Sequence, residues 1–434
     1  MWRELPLSAL AEITSGGTPS RDVGAYWGGD IPWVTPTDIT ACKTNYLIDT
    51  ADRITKGGLL NSSTKLLSAG SILFTSRATV GISRIAGIPV CTNQGFKSLT
   101  ARPNVDAKFL FYQVQRLRGA FERYAAGSTF PEINKKDTAR VLIPHPADKR
   151  IQQRIAAILT SIDTAIEKTE ALIAKYQQIK AGLMHDLFTR GVLPNGQLRP
   201  PRDQAPELYQ ETAIGWIPKG WSLTGLSAKG RQGTSWIRTG PFGSSLKGEH
   251  WRVDGHPVIT IGSLGIGEFI ASELLFVGPK DATRLADFQL KTGDVVFSRV
   301  ADVGRSVVVR EAQAGWIMSS NLMRISVNPA QLRPDYLQMQ LADDPRVKAQ
   351  IRASVNSGGR DVANSEVLNR LRFVCPEPFE QDRVISTANQ LTERLNVEMS
   401  MVAKRQTQKL GLMQDLLTGK VTVQADAPGV EAAA

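Results

Sequence analysis

The chain has 434 residues, 42% of them hydrophobic, and a formal charge of +11 from 52 Lys and Arg against 41 Asp and Glu. That length accommodates two or three domains with cores of their own. No apolar run approaches the roughly 18 residues of a membrane span, and three cysteines (Cys42, Cys91, Cys375) without a Cys-x-x-Cys pair give neither a disulfide framework nor a zinc site.

The N-terminal MWRELPLSALAEI carries Glu4 and Glu12 around a short apolar stretch and makes a poor signal peptide, so a cytoplasmic protein with no membrane partner is expected. Residues 1–146 are expected to form a mixed α+β domain. SGGTPSRDVGAYWGGD is a loop, IPWVT and SILFT are short strands, and KFLFYQVQRLRGAFERYAA has helical spacing. Residues 147–190 are expected as one long helix. Ile151, Ile155, Ile158, Ile162, Ala165, Thr169, Leu172, Tyr176, Ile179 and Leu183 are spaced four, three, four, three, which is the signature of a helix-pair seam. About 40 residues at ~1.5 Å each give a rod of about 60 Å.

Residues 191–220, dense in Pro and Gly, are expected to be an ordered crossing segment with little regular structure. Residues 221–378 then repeat the first domain's order: TGPFGSSLKGEHW is loop, PVITIG and DVVFS are strands, and DYLQMQLADDPRVKAQIRAS is helical. A second helix is expected over 379–423, with Val384, Ala388, Leu391, Leu395, Val402, Leu412 and Leu416 on a similar track, but with Glu398, Arg405 and Lys409 in its middle. Residues 424–434 are expected to be a disordered tail. The basic excess sits on the globular parts, with 17 basic against 11 acidic side chains over 1–145 and 21 against 18 over 201–378. Dispersed positive charge of this kind suits a protein that meets a polyanion.

The order repeats because the sequence repeats. KAGLMHDLFT from Lys180 returns as KLGLMQDLLT from Lys409, with seven of ten letters identical. The same offset pairs Gln152 with Gln381, Arg154 with Arg383 and Ala174 with Ala403. With small drifts, LLSAGSILFTSRATVG answers QLKTGDVVFSRVADVG, and TNQGFKSL answers SNLMRISV. A repeat this long is a duplicated domain.

No catalytic constellation assembles. There is no G-x-x-x-x-G-K-[ST] phosphate loop and no Asn-Pro-Pro-aromatic stretch of the kind that holds an adenine amino group in a methyltransferase. His250 and His256 flank a turn, where a structural role outweighs metal binding, and Asp343-Asp344 before Pro345 reads as a helix cap. The sequence offers binding surfaces, and no metal site or bound cofactor is expected.

Two such domains, each followed by a long helix that ends in Leu-Met-x-Asp-Leu, resemble the specificity subunit of type I restriction-modification systems. The resemblance covers nearly the whole chain. Its specific pieces are GSTFPEINKKD, IPHPADKRIQQRIAAILTSID, the segment FTRGVLPNGQLRPPRDQAPELYQETAIGWIPKGW, and the domain starts TGPFGSSLK and SGGTPSRDVGAYWGGDIPWVTPTDI. In the second copy, SGGRDVANSEVLNRLRF keeps the Gly-rich opening of the first piece without its Pro-x-Ile-Asn core.

The resemblance implies two α+β target-recognition domains separated by a pair of long antiparallel, coiled-coil-like helices in a pseudo-two-fold arrangement. It implies a non-catalytic subunit that reads a bipartite double-stranded DNA target, one half-site per domain with the helices as ruler. Two adenine-methyltransferase subunits would bind it, carrying S-adenosylmethionine themselves, and restriction/translocase subunits would join. A structural adaptor without DNA contact and a fused DNA-modifying enzyme are the rival readings.

Candidate DNA contacts in the first copy are Thr18, Ser20, Arg21, Tyr26, Arg77, Thr79, Asn93, Gln94, Ser128, Thr129 and Phe130; in the second they are Ser244, Lys247, Arg299, Arg305, Asn321, Arg360 and Asp361. Arg77 and Arg299 each leave a strand end at what reads as the same place, with donors suited to guanine or phosphate. Tyr26, Trp27 and Trp33 are either stacking groups or core. The helix interface is assigned to Ile155, Ile158, Ile162, Leu172, Tyr176, Ile179, Leu183, Val384, Leu391, Leu395, Val402 and Leu412.

Overall fold

The computed structural model describes residues 2–126, 131–232, 235–265, 267–355 and 362–424. The chain divides into two compact units, Met1–Leu172 with Glu398–Ala434, and Ile173–Val397. No helix among the described residues is long and apolar enough to cross a membrane.

The two units share one topology. The first has an antiparallel sheet in the order Ala11–Ser15, Lys97–Ala101, Ile72–Phe74, Ser83–Ala86, extended by the parallel strand Tyr46–Leu47. The second has the matching order Ile237–Thr239, Leu322–Ser326, Asp294–Ser298, Ser306–Val308, without a fifth strand. Each unit also has a parallel pair, Trp33 opposite Cys91 in one and Val258 opposite Ile317 in the other. Each closes with an antiparallel pair, Trp2–Pro6 with Leu142–Pro146 and Ser222–Thr224 with Phe373–Cys375.

The repeated letters mark the bonds that hold this frame. Gln152 sends its amide nitrogen to the Pro146 carbonyl (2.9 Å) and accepts from the Asp106 N–H (2.8 Å); Gln381 does the same with Pro376 (2.8 Å) and Arg333 (2.8 Å). Both glutamines are buried, where an unpaired amide would cost about 1–3 kcal/mol. Asn134 caps the helix Lys135–Arg140 by accepting from Asp137 N–H (2.9 Å), and Asn364 caps Ser365–Arg370 by accepting from Val367 N–H (2.9 Å). The second copy therefore keeps the asparagine of the Pro-x-Ile-Asn core although the letters before it differ.

The long helices run over Lys149–Thr189 and Pro378–Leu416. The second stops before the expected 423. Val421 N–H reaches back to the Asp415 carbonyl, and Gly419 takes a φ of +76°, the left-handed turn that ends helices.

Within each unit the helices are antiparallel. In the first, Ile155 and Leu159 cluster with Met413, Leu416 and Leu417, while Asp163 meets Lys409 and Thr169 meets Arg405. In the second, Arg394 lies over Tyr176, while Met184, Leu187 and Phe188 cluster with Val384 and Ala388. The repeated Leu-Met-x-Asp-Leu phrase is thus a plug. Met413, Leu416 and Leu417 of the distal helix complete the core of the first globule, and Met184, Leu187 and Phe188 of the central helix complete that of the second. The carbonyl at the end of each phrase is taken too, Leu417 by Gln113 (2.7 Å) and Phe188 by Arg346 (2.7 Å).

The central helix departs from the expected seam. Its buried stripe is Gln152, Ile155, Ala156, Leu159, Asp163, Ile166 and Thr169, while Ile158, Ile162, Leu172, Tyr176 and Leu183 are half-buried and Ile179 is 45% exposed. The helix packs on a globule as well as on its partner helix, so its apolar face is wider than a two-stranded seam and centred about one residue away. The distal helix keeps its expected track, with Val384, Ala388, Leu395, Val402 and Leu416 buried and Leu391 and Leu412 half-buried.

The connector is better ordered than its composition suggests. It carries the hairpin Tyr209–Thr212 with Gly215–Pro218. The buried Glu380 fastens it, accepting from Val192 N–H (3.1 Å), Trp221 Nε1 (3.1 Å) and Arg199 (2.9 Å). Of the expected tail only Gln424 lies among the described residues.

Candidate nucleic-acid interface

In both units the loops at the same end of the main sheet come together. The first loop follows the outermost sheet strand. A Cβ at Gly16 would lie 1.9 Å from the Asn93 carbonyl oxygen, and one at Gly240 would lie 1.9 Å from that of Ser319, so only glycine lets the loop cross so closely. Beyond these glycines, Thr18 and Phe242 occupy matching places.

In the first unit the Thr18 hydroxyl bonds the Gln94 side chain, and Gly17 N–H donates to the Thr92 carbonyl (2.9 Å). Asn93 accepts from Gly95 N–H (2.9 Å), and the Gly95 carbonyl accepts from Ser76 N–H (2.7 Å). Thr18, Asn93, Gln94 and Arg77 are therefore neighbours. Thr79 is half-buried on the same turn, which Ala78 enters at a φ of +60°. Arg77 is exposed and faces Glu132 at 3.6 Å. Arg21 stacks 3.6 Å over the Trp27 ring and pairs with Asp52 at 2.6 Å, while Ser20 offers its carbonyl to Trp27 Nε1 (3.0 Å). Tyr26 is half-buried, and Trp33 belongs to the core at 3% exposure. Ser128, Thr129 and Phe130 lie outside the described residues, as do Arg360 and Asp361 of the second copy.

The second unit gathers Arg299 and Asn321 with Arg238, Phe242 and Phe288 around a cleft of about 620 Å³. Arg299 N–H donates to the Asn321 carbonyl (3.1 Å) and its Nε to the Ala363 carbonyl (3.2 Å). Ser244 and Lys247 are exposed on the loop beyond, where Lys247 N–H donates to His250 Nδ1 (2.9 Å), so His250 is a turn residue. Arg305 is elsewhere. It pairs with Asp302 (2.9 Å) and lines a separate hollow with Gln338, Lys348 and Arg352. Asp344 caps the helix Pro345–Ser354 through Arg346 N–H (2.9 Å), as expected of the acidic pair. Among the described residues no group of three His, Cys, Asp or Glu side chains is placed to hold a metal ion.

Arg77 and Arg299 do not occupy the same place. Ile133 N–H donates to the Ser76 carbonyl (2.9 Å) where Ala363 N–H donates to that of Arg299 (2.7 Å), and Arg77 bridges Glu132 where Val300 bridges Val362. Arg299 therefore corresponds to Ser76. From Phe to Gly the two stretches, FTSRATVG and FSRVADVG, have eight residues each, so the arginine simply stands one position later in the first, and a one-residue shift on extended backbone turns a side chain to the other face. In the first unit the cation beside Ser76 comes from the neighbouring strand instead, as Lys97 Nζ, 3.3 Å from the Ser76 hydroxyl. Burial pulls the Lys97 ammonium below its ordinary pKa, with the Glu132 carboxylate opposing.

Lys97, Arg238 and Phe242 were not among the residues expected from the sequence. Lys97 sits in an ordinary alternating strand and Arg238 in a short one, so neither carries a local signal. Phe242, an aromatic between Pro241 and Gly243 in a loop, was the legible one.

The family model described as the type I restriction modification DNA specificity domain matches residues 1–178. The MjaIX specificity subunit of Methanocaldococcus jannaschii is 31% identical over 52% of this chain and 50% of that protein, and the EcoR124I/EcoR124II specificity subunit of Escherichia coli is 31% identical over 36% of this chain and 40% of that one. The matched stretch thus spans half or less of the length of these relatives. In fold, the chain matches the S subunit of a type I restriction-modification system from M. genitalium with a TM-score of 0.58 over 96% of both chains, at 14% identity.

Proposed function

We propose that this chain, which is similar to type I restriction-modification specificity subunits, is the DNA-reading, non-catalytic subunit of such a complex. Each unit reads one half of a split duplex target. Two adenine-methyltransferase subunits bring S-adenosylmethionine and the chemistry, restriction/translocase subunits complete the assembly, and the work is done in the cytoplasm. The length of the two helices sets the unspecified spacer between the half-sites.

One observation carries this reading: one frame is built twice, with unlike side chains at the loop tips. The glycines, glutamines and capping asparagines are held in common, whereas Thr18 with Gln94 stands in one unit where Phe242 with Ser320 stands in the other. A scaffold that repeats while its exposed loops diverge is what reading two different sequences requires. A structural adaptor would gain nothing from the difference.

The test is a domain exchange. Replacing residues 1–146 by the matching domain of a relative and sequencing the methylated motif in cells should change one half-site and leave the other and the spacer intact. A change in both halves, or in neither, would defeat the proposal.

A further inference from the structure

Resting on the DNA-reading role just proposed, we infer that Phe242 is an apolar wedge that enters the base stack of the half-site read by the second unit, and that the first unit reads its half-site without such a wedge. Phe242 is 87% exposed, whereas Phe74, Phe96, Phe109, Phe111, Phe121, Phe188, Phe297 and Phe373 are buried. It is held out by construction. Gly240 N–H is bonded to the Leu322 carbonyl (2.9 Å), Pro241 is buried, and Ser245 N–H closes a turn on the Phe242 carbonyl (2.8 Å), so the loop is anchored on both sides of the ring.

The ring stands at a cationic cleft. Arg238 and Arg299 line it with Phe242 and no carboxylate does; Arg238 is paired from behind with Asp287 (2.9 Å), whereas Arg299 has no ion-pair partner among the described residues. An exposed aromatic beside two guanidinium groups fits a partner that offers apolar faces between anionic groups, which describes stacked bases between phosphates. Asn321 and Ser320, on the same cleft, offer hydrogen bonds to base edges or phosphate. The matching place in the first unit holds Thr18, whose hydroxyl is already bonded to Gln94. Among the described residues the first unit thus has no ring at the matching place, and the wedge belongs to one half-site.

The test uses the full chain with its methyltransferase partner and a duplex carrying the methylated motif, with 2-aminopurine placed in turn at positions of each half-site other than the methylated adenine. Binding should raise the fluorescence at one step of the half-site assigned to the second unit by the domain exchange, and at none in the other. Phe242→Ala should abolish that rise and weaken binding by roughly 5- to 150-fold, the range for loss of an aromatic stacking contact. Phe242→Trp should restore both. Because the ring is outside the core, Phe242→Ala should leave the far-ultraviolet circular dichroism unchanged, which separates loss of contact from loss of fold. If Phe242→Ala binds as tightly and gives the same fluorescence, the wedge is refuted while the reading role stands. Weakened binding with no unstacking in the parent protein would also refute it, and failure of the parent to bind the motif would refute the role itself.

Discussion

Replacing Asp163 by alanine probes the polar middle of the helix pair. The Asp163 carboxylate is 7% exposed and accepts from Lys409 Nζ, the Tyr112 hydroxyl and Asn45 Nδ2, each at 2.7 Å. Alanine removes all three acceptors at once. Breaking a buried ion pair from one side costs about 3–5 kcal/mol, and because the Lys409 side chain keeps 19% of its exposure, a loss near the lower end is expected for the first unit. Lys409→Met leaves the carboxylate with its two neutral donors, so it should cost less, about 1.5–3 kcal/mol for the charged hydrogen bond. The double variant should cost less than the sum of the two by about 0.5–3 kcal/mol, since the groups touch. Hydrogen exchange on the full chain reads this locally. Amides of residues 149–172 and 398–416 should lose protection, and those of 173–189 and 378–397, which belong to the second unit, should not. A single-variant loss below about 1 kcal/mol, or single effects that simply add, would refute the coupled buried pair.

Three further outcomes are expected. Arg299→Ala should weaken binding at the second unit's half-site by about 1–3 kcal/mol, and Arg77→Ala, on the opposite face and engaged with Glu132, should weaken the first by less; equal losses in DNA titrations would contradict their inequivalence. Inserting four residues after Leu172 and four after Val397 should lengthen both helices by about 6 Å at ~1.5 Å per residue. At about 3.4 Å per base pair, the methylated motif should then gain one or two spacer base pairs with unchanged half-sites, and an unchanged spacing would show that the helices are not the ruler. Burial pushes the Cys91 thiol up to about 11 and raises that of Cys375, whereas Cys42 is half-buried. A raised value keeps the proton on until the pH climbs through it, leaving about one Cys91 in a thousand as reactive thiolate at pH 8. A thiol reagent at that pH should modify Cys42 first and the other two only after unfolding; Cys91 reacting as fast as Cys42 would contradict its burial.

The sequence by itself determined the duplication, the α+β character of each copy and the two long helices, because these live in periodicity, turn residues and repeated letters that need no partner to be read, and its motifs carried the family resemblance. It also supplied the apolar track of the distal helix, including the charged interruption at Arg405 and Lys409. The tertiary structure decided what answers that interruption. Lys409 meets Asp163 and Arg405 meets Thr169 and the Ala165 carbonyl, across about 240 positions of chain that leave no local trace. It likewise decided that each Leu-Met-x-Asp-Leu phrase completes the core of the other copy's domain, as Met413 does among residues 1–146. At the loop tips the difference is one residue. Arg77 and Arg299 look alike in the letters although the ungapped match sets Ser76 opposite Arg299, and the tertiary structure decided in favour of that register: Ile133 and Ala363 bond the carbonyls of Ser76 and Arg299 alike, and because extended backbone alternates its faces, Arg77 turns away.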